Sequence, residues 1–397
     1  MAWNKIIYLI KMNKIIILFL ILILKSFQKS DVYFTKEISG EKIVEMFKKL
    51  NITLKGNIGL KVHTGEKDGP YYLRPSLLNN IYDYTNGTFI ECNTAYLRRW
   101  RHNTSIHQQL LEWNGWNNYR IVLMDENEEN DIILNVTKPH NITENYVGEH
   151  LYDYNSCLVL AHFKGHPMGG FGGAMKQLSI GFASRAGKSY IHSGGYTTNY
   201  LEAWTHKATQ KDFTAAMADA ASTVVDYFKN NGGIAYINVL ANISKVCDCG
   251  GTAAPPPKIR DIGILASLDP VAIDKACYDL IVRENTEGSK DWINQSETLL
   301  GLNTLNVAED IGMGTQDYNF INIDDGDSSD GSSDGTSDNK ENDKNKKNNT
   351  LLYVLLGVGG AIVITAVIII VVVVQRKKKS EKIDMPEQAG LIRDNEV

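Results

Sequence analysis

Residues 162–176 read His-Phe-Lys-Gly-His-Pro-Met-Gly-Gly-Phe-Gly-Gly-Ala-Met-Lys, the densest chemistry in the chain. The imidazoles of His162 and His166 can ligate a metal or carry protons. Lys164 and Lys176 add positive charge, while Gly169, Gly170, Gly172 and Gly173 let backbone N–H groups approach a ligand closely at the start of a helical pattern. Arg185, Lys188 and His192 keep the region cationic, so the expected ligand is a small anion. Neither the Gly-x-x-x-x-Gly-Lys-Ser/Thr spacing nor a clean Gly-x-Gly-x-x-Gly is present, so nothing here points to ATP or NAD. A tight glycine connection with no ligand is the competing reading.

Cys247-Asp248-Cys249 is the second motif. Positions i and i+2 of an extended segment face the same way, so two thiolates can share one metal ion, with His162 completing the shell. Disulfides or inert thiols compete with that reading: Cys92, Cys157, Cys247, Cys249 and Cys277 all fall in a region expected to be luminal, and an odd number leaves one unpaired. His63 stands at the end of an apolar run beside Glu66, and the two are candidates for proton transfer or ligation, against a plain surface histidine. Gly-x-Ser-x-Gly is absent, so no serine triad is indicated.

These residues need a scaffold that gathers them. Short apolar runs end in polar residues: 58–62 leads to His63, 88–92 to Asn93, 157–161 to His162, 234–240 to Asn242, and 262–266 to Ser267 and Asp269. Helical patterns lie between them. From Phe213, apolar residues recur at three and four, with Asp212 as the expected N-cap and Gly232-Gly233 as the stop. Asp269-Pro270 reads as an N-cap followed by proline at the first helical position. The fold class is therefore α/β, a mostly parallel sheet with helices on both faces, in one or two lobes. Ligands in such sheets lie beyond the carboxyl ends of the strands, where the polar residues above should meet.

Two further apolar runs set an expected topology. Residues 351–374 carry no charge and, at about 1.5 Å per residue, are long enough for one C-terminal transmembrane helix. Arg376-Lys377-Lys378-Lys379 follows and favours the cytoplasmic side. Residues 15–24 form an apolar core behind Lys5, Lys11 and Lys14, the pattern of a signal peptide over residues 1–30, with an uncleaved anchor as the alternative. Residues 31–323 are then a luminal or extracellular domain and 324–350 a polar, disordered stalk; 375–397 form a cytoplasmic tail. Sequons at Asn51, Asn86, Asn103, Asn135, Asn141, Asn242, Asn294 and Asn348 agree with a glycoprotein. Within the tail, residues 387–392 fit an acidic dileucine-type signal, so sorting adaptors are expected partners through Leu391 and Ile392, at the plasma membrane or an endosomal or vacuolar membrane. The net charge of -5 shows no nucleic-acid footprint.

Several of these motifs together resemble the domain of unknown function 362 family. They are residues 61–66 (Lys-Val-His-Thr-Gly-Glu), 72–75 (Tyr-Leu-Arg-Pro), the glycine-rich run through residues 181–188, Cys247-Asp248-Cys249, and residues 261–267. The resemblance runs from about Asn51 to Asp324. Many relatives are described as iron–sulfur centre proteins and carry a ferredoxin-like insert after the position of His192. Residues 193–211 hold no cysteine here, so a 4Fe-4S cluster of that type is not expected. The family is also distantly similar to the amino-terminal domain of lactate racemase, whose nickel-bearing nucleotide cofactor is held partly by histidine. That similarity implies a cofactor role for the glycine and histidine positions.

Two functions remain open at this stage. One is a metal- or cofactor-dependent oxidoreductase or isomerase acting on a small anionic substrate, with an unassigned cofactor or a metal ion. In it His63, Glu66, His162 and His166 do the chemistry and the lysines and Arg185 hold the anion. The other is a membrane-tethered binding or cell-surface protein without catalysis.

Overall fold

The structure is a computed structural model that describes residues 29–97, 99–127 and 129–325. Twelve strands appear in chain order: β1 (Ser30–Thr35), β2 (Ile58–Lys61), β3 (Thr88–Glu91), β4 (Ile121–Leu123), β5 (Ile132–Asn135), β6 (Glu144–Val147), β7 (Ser156–His162), β8 (Lys164–His166), β9 (Gly170–Gly172), β10 (Gly233–Leu240), β11 (Gly263–Ser267) and β12 (Tyr318–Asn322). The α-helices are α1 (Gly40–Lys49), α2 (Asn79–Thr85), α3 (Thr104–Trp113), α4 (Ala174–Lys176), α5 (Arg185–His192), α6 (Tyr200–Ala203), α7 (Gln210–Asn231), α8 (Pro270–Glu284), α9 (Glu287–Thr298) and α10 (Gly301–Ile311).

Eight strands form one sheet in the order β12-β1-β11-β10-β7-β2-β3-β4, and β5–β6 and β8–β9 are separate two-stranded pairs. The run β10-β7-β2-β3-β4 is parallel throughout, as expected. Alternation along the central strands shows why their sequences are continuously apolar. In β7, Cys157, Val159 and Ala161 pack on one face with α7, α8 and α10, while Leu158 and Leu160 pack on the other with α1 and α2. Both faces are covered, so no polar side of the strand is needed. The described domain has this one large sheet rather than two lobes.

One expectation about the rim is corrected. β11 is antiparallel to both β1 and β10, with Leu240 opposite Gly263 and Tyr236 opposite Ser267. Ser267 and Asp269 therefore leave the sheet at the edge opposite His63 and His162. Asp269 instead caps α8, accepting from the N–H groups of Val271 and Ala272 at 2.8 and 3.0 Å. For α7 the cap is Thr209, which accepts from the Asp212 N–H, so Asp212 lies inside the first turn.

Both ends of the described domain are tied into it: the Ser30 hydroxyl donates to Asp269, and the Asp324 carboxylate accepts from Thr35 Oγ1 at 2.7 Å. Among the described residues no helix is long and apolar enough to cross a membrane. The expected leader up to residue 28, most of the stalk, the span at 351–374 and the tail with Leu391 and Ile392 lie outside the described residues. Of the sequons, Asn51, Asn86, Asn135, Asn242 and Asn294 are exposed.

Candidate functional site

Where β2, β3 and β7 end together, a small chamber of about 50 Å³ opens, the size of a few waters or one small oxyanion. His63, Glu91, Arg101, His162, Lys164, His166, Lys176, Lys188, His192 and Cys249 line it, together with Gly172, Gly173 and Gln177. Chain segments more than a hundred residues apart thus meet at one rim.

Asp248 organises one wall. Its carboxylate receives His162 Nδ1 at 2.9 and 3.0 Å and Lys164 Nζ at 2.5 Å, and His63 Nδ1 stands 3.9 Å away. Burial alone would raise its pKa, but His162 and Lys164 outweigh that and hold the carboxyl well below the usual range. His162 Nε2 faces the Ala241 carbonyl at 2.6 Å. Both ring nitrogens are thus taken up by acceptors of the protein itself, which leaves neither turned toward a metal.

Lys61 and Glu91 organise the opposite wall from inside the sheet. Their side chains meet at 2.7 Å with almost no exposure, and Lys61 also donates to the Val62 carbonyl and Gln177 Oε1. Burial would raise Glu91, but Lys61 and Arg101 bring its pKa down to about 2. Gln177–Gly181 is a π-type turn, and at Gly181 a Cβ would lie 2.4 Å from Gln177 Oε1. The bare glycine lets the Lys61–Gln177 contact form.

The glycine-rich run does something other than expected. The N–H groups of Ala174 and Met175 donate to Asp274 at 2.8 and 2.9 Å, and Asn238 donates to the same carboxylate at 2.7 Å. A buried carboxylate from α8 therefore takes the anion position at this helix start. Desolvation pushes its pKa up to about 6. Gly169 and Gly170 turn away from the chamber: Gly170 has φ +77° and would place a Cβ 2.7 Å from Gly301 Cα. Gly172 and Gly173 do reach the chamber wall.

The other sequence candidates divide in the same way. His166 lines the chamber, and its Nδ1 accepts from Met168 and Gly169 at 3.2 and 2.9 Å, which places the proton on Nε2. Burial, then Lys176 and His192, keeps it neutral, well below the ordinary histidine pKa. Lys188 lines the chamber and donates to the Ala183 carbonyl. Lys176 lines it too, and among the described residues no hydrogen bond or ion pair holds its Nζ. Burial, with Lys164 and Arg101 close by, brings its pKa down to about 7. Glu66 stays behind the wall, accepting from the Trp100 N–H at 2.8 Å and facing Arg101 at 3.6 Å. Arg185 sits over the Tyr200 ring, outside the chamber lining.

Cys247 and Cys249 are joined as a disulfide. A ring nitrogen of His63 and the two sulfurs all lie within 4.8 Å of one another, so His63, not His162, shares the cysteine position. Cys92, Cys157 and Cys277 are separate buried thiols.

Sequence reasoning missed Arg101, Glu91, Lys61, Asp248 and Asp274. Two of these left a readable signal, since Lys61 and Glu91 are opposite charges inside otherwise apolar strands that pair side by side.

No curated protein matches the chain. Among solved structures, a protein from Thermotoga maritima is similar at 13% identity and TM-score 0.37, over 70% of this chain and 60% of that one. The lactate racemase apoprotein from Thermoanaerobacterium thermosaccharolyticum is similar at 16% identity and TM-score 0.33, over 53% of this chain and 51% of that one. The chain thus spans only about half to three-fifths of the length of either. At the level of sequence the family profile named "Domain of unknown function (DUF362)" matches residues 58–279, more than half of the chain, and this protein belongs to that family.

Proposed function

We propose that the chamber binds a small carboxylate and moves a proton on it, chemistry of the isomerase or oxidoreductase kind. The observation that carries this reading is the charge around the chamber: Arg101, Lys164, Lys176 and Lys188 line it with one carboxylate, Glu91, which is paired with Lys61, and even with Asp248 against Lys164 and Glu66 against Arg101 the cations outnumber the carboxylates by five to three. Cations held in a shielded site favour an anion far more than they would in water. The proton-handling groups are Lys176, which titrates near neutrality, and the neutral imidazole of His166.

Anion binding is read through stability. Propionate at about 100 times its dissociation constant should stabilise the full-length chain by roughly 2.7 kcal/mol, and the uncharged propionamide should not. Arg101→Gln and Lys188→Gln should each weaken the effect. Equal stabilisation by propionamide, or none by any small carboxylate, would overturn the reading. A chamber that binds propionate yet never exchanges solvent deuterium into any bound acid would favour a non-catalytic binding protein.

A metal reading rests on its own observation, the convergence of His63, Cys247 and Cys249. Reduced, they offer two thiolates and one imidazole to a soft divalent ion, with a fourth position left for substrate or water.

A further inference from the structure

The glycine at position 172 brings two lysines together. A Cβ there would lie 3.4 Å from Lys176 Cδ and 3.8 Å from Lys164 Cε, so both stems rest against one bare stretch of backbone. Their ends meet different fates. Lys164 is locked to Asp248 at 2.5 Å. Lys176 has no such partner and shares the chamber with Lys164, Arg101 and Lys188. A further positive charge in that company is unfavourable, which leaves Lys176 as a free amine much of the time near neutral pH. An amine desolvated beside fixed cations is the form in which a lysine attacks carbon.

We propose that Lys176 is a nucleophile that forms an imine with a small 2-oxo acid, its carboxylate held by Arg101 and Lys188. The inference rests on the anion-binding reading above and adds the substrate's carbonyl group. The Lys176 lone pair adds to the ketone carbon. The C=O π electrons move to oxygen, which takes the proton from His166 Nε2, and the new ammonium returns a proton to the same nitrogen. The resulting carbinolamine then loses its hydroxyl as water, taking the Nε2 proton of His166, while the nitrogen lone pair closes the C=N bond; His166 recovers its proton from solvent. One amine, one ketone and one solvent proton become one iminium and one water, with no oxidant or reductant consumed. The cationic iminium draws electrons from the adjacent C–H bond, which is what proton transfer at that carbon requires.

The adjoining hollow, about 250 Å³, shares Tyr96, His166 and Cys249 with the chamber and gives room for the substrate's far end.

The test is reductive trapping. Full-length protein is incubated with pyruvate and sodium cyanoborohydride, digested, and its peptides weighed. The expected result is a reduced pyruvyl adduct concentrated on Lys176, suppressed by excess propionate and lost in Lys176→Arg. Wild-type trapping alone decides the point should that variant fold poorly. No adduct from a protein that binds propionate would sink the imine and leave anion binding intact. Labelling spread over exposed lysines and indifferent to propionate would sink it as well. Absence of both adduct and propionate binding would remove both readings.

Discussion

Asp248 lies between two cysteines and is gripped from the other side by His162 and Lys164, so the residue that looks like a spacer fixes where both sulfurs stand. That restraint has a consequence for metal binding. A preorganised pair of thiolates loses little entropy on ligation, and His63 is already within reach. Opening the disulfide with a dithiol should therefore create one tight site for Zn²⁺ or Co²⁺, whereas the oxidised protein should bind neither. Cobalt makes the ligands visible, because thiolate coordination gives an intense charge-transfer band. His63→Ala should lower affinity by at least about tenfold. His162→Ala should act only indirectly, since that ring is committed to Asp248 and the Ala241 carbonyl. Reduced protein that takes up no metal, or oxidised protein that takes up as much, would rule the site out.

At the scale of elements, the chamber depends on how closely α5 lies on β6. A Cβ at Gly187 would stand 2.0 Å from the Tyr146 carbonyl oxygen, which is backbone and cannot swing aside. α5 carries Lys188 and His192 into the wall, and His192 is clamped there by stacking on Phe213 at 4.7 Å. Gly187→Ala should push the helix off the strand, cost about 1–3 kcal/mol in urea unfolding, and weaken propionate binding together with it. Loss of stability with unchanged binding would mean that α5 does not set the anion site. The same closeness explains what could be read in advance. β7 and β10 were legible because each is buried on both faces and so mostly apolar along its length. The direction of β11 was not, because a two-sided apolar strand looks alike in either orientation and only its pairing decides. Asp274 was hidden for another reason: it serves the start of α4 from a hundred residues away, and no local pattern announces a cap supplied by a distant helix. Lys61 and Glu91 were visible in principle, as charges that an apolar strand tolerates only in pairs.

Across the whole molecule, the most general consequence of this buried polar rim is its response to acid. His63, His107, His166 and His192 are all held below the ordinary histidine pKa, first by desolvation and then by neighbouring cations; His107 and His192 fall to about 3. The sign follows from linkage. Below pH 6.5 the unfolded chain protonates these rings while the native protein leaves them neutral, so each subtracts up to about 1.4 kcal/mol of stability per pH unit until its own folded pKa is reached. Asp274 works the other way between about 6 and 3.8, because its raised pKa lets the native state take up a proton first, and it offsets roughly one of the four. Glu91, held at about 2 against an ordinary 4.5, leaves stability above about pH 4.5 unchanged, and its stabilisation is lost as pH falls from there toward 2. Lys176 extends the trend upward, since a folded pKa of about 7 makes stability rise further as pH climbs toward 10.5. Urea unfolding of the full-length chain at pH 8, 7, 6 and 5 should therefore show midpoints that fall steadily toward acid, with the steepest loss below 6.5. Midpoints that stay level down to pH 5 would mean that the histidines are charged or solvated in the native protein, and the dry, cation-lined chamber on which the chemistry depends would go with them.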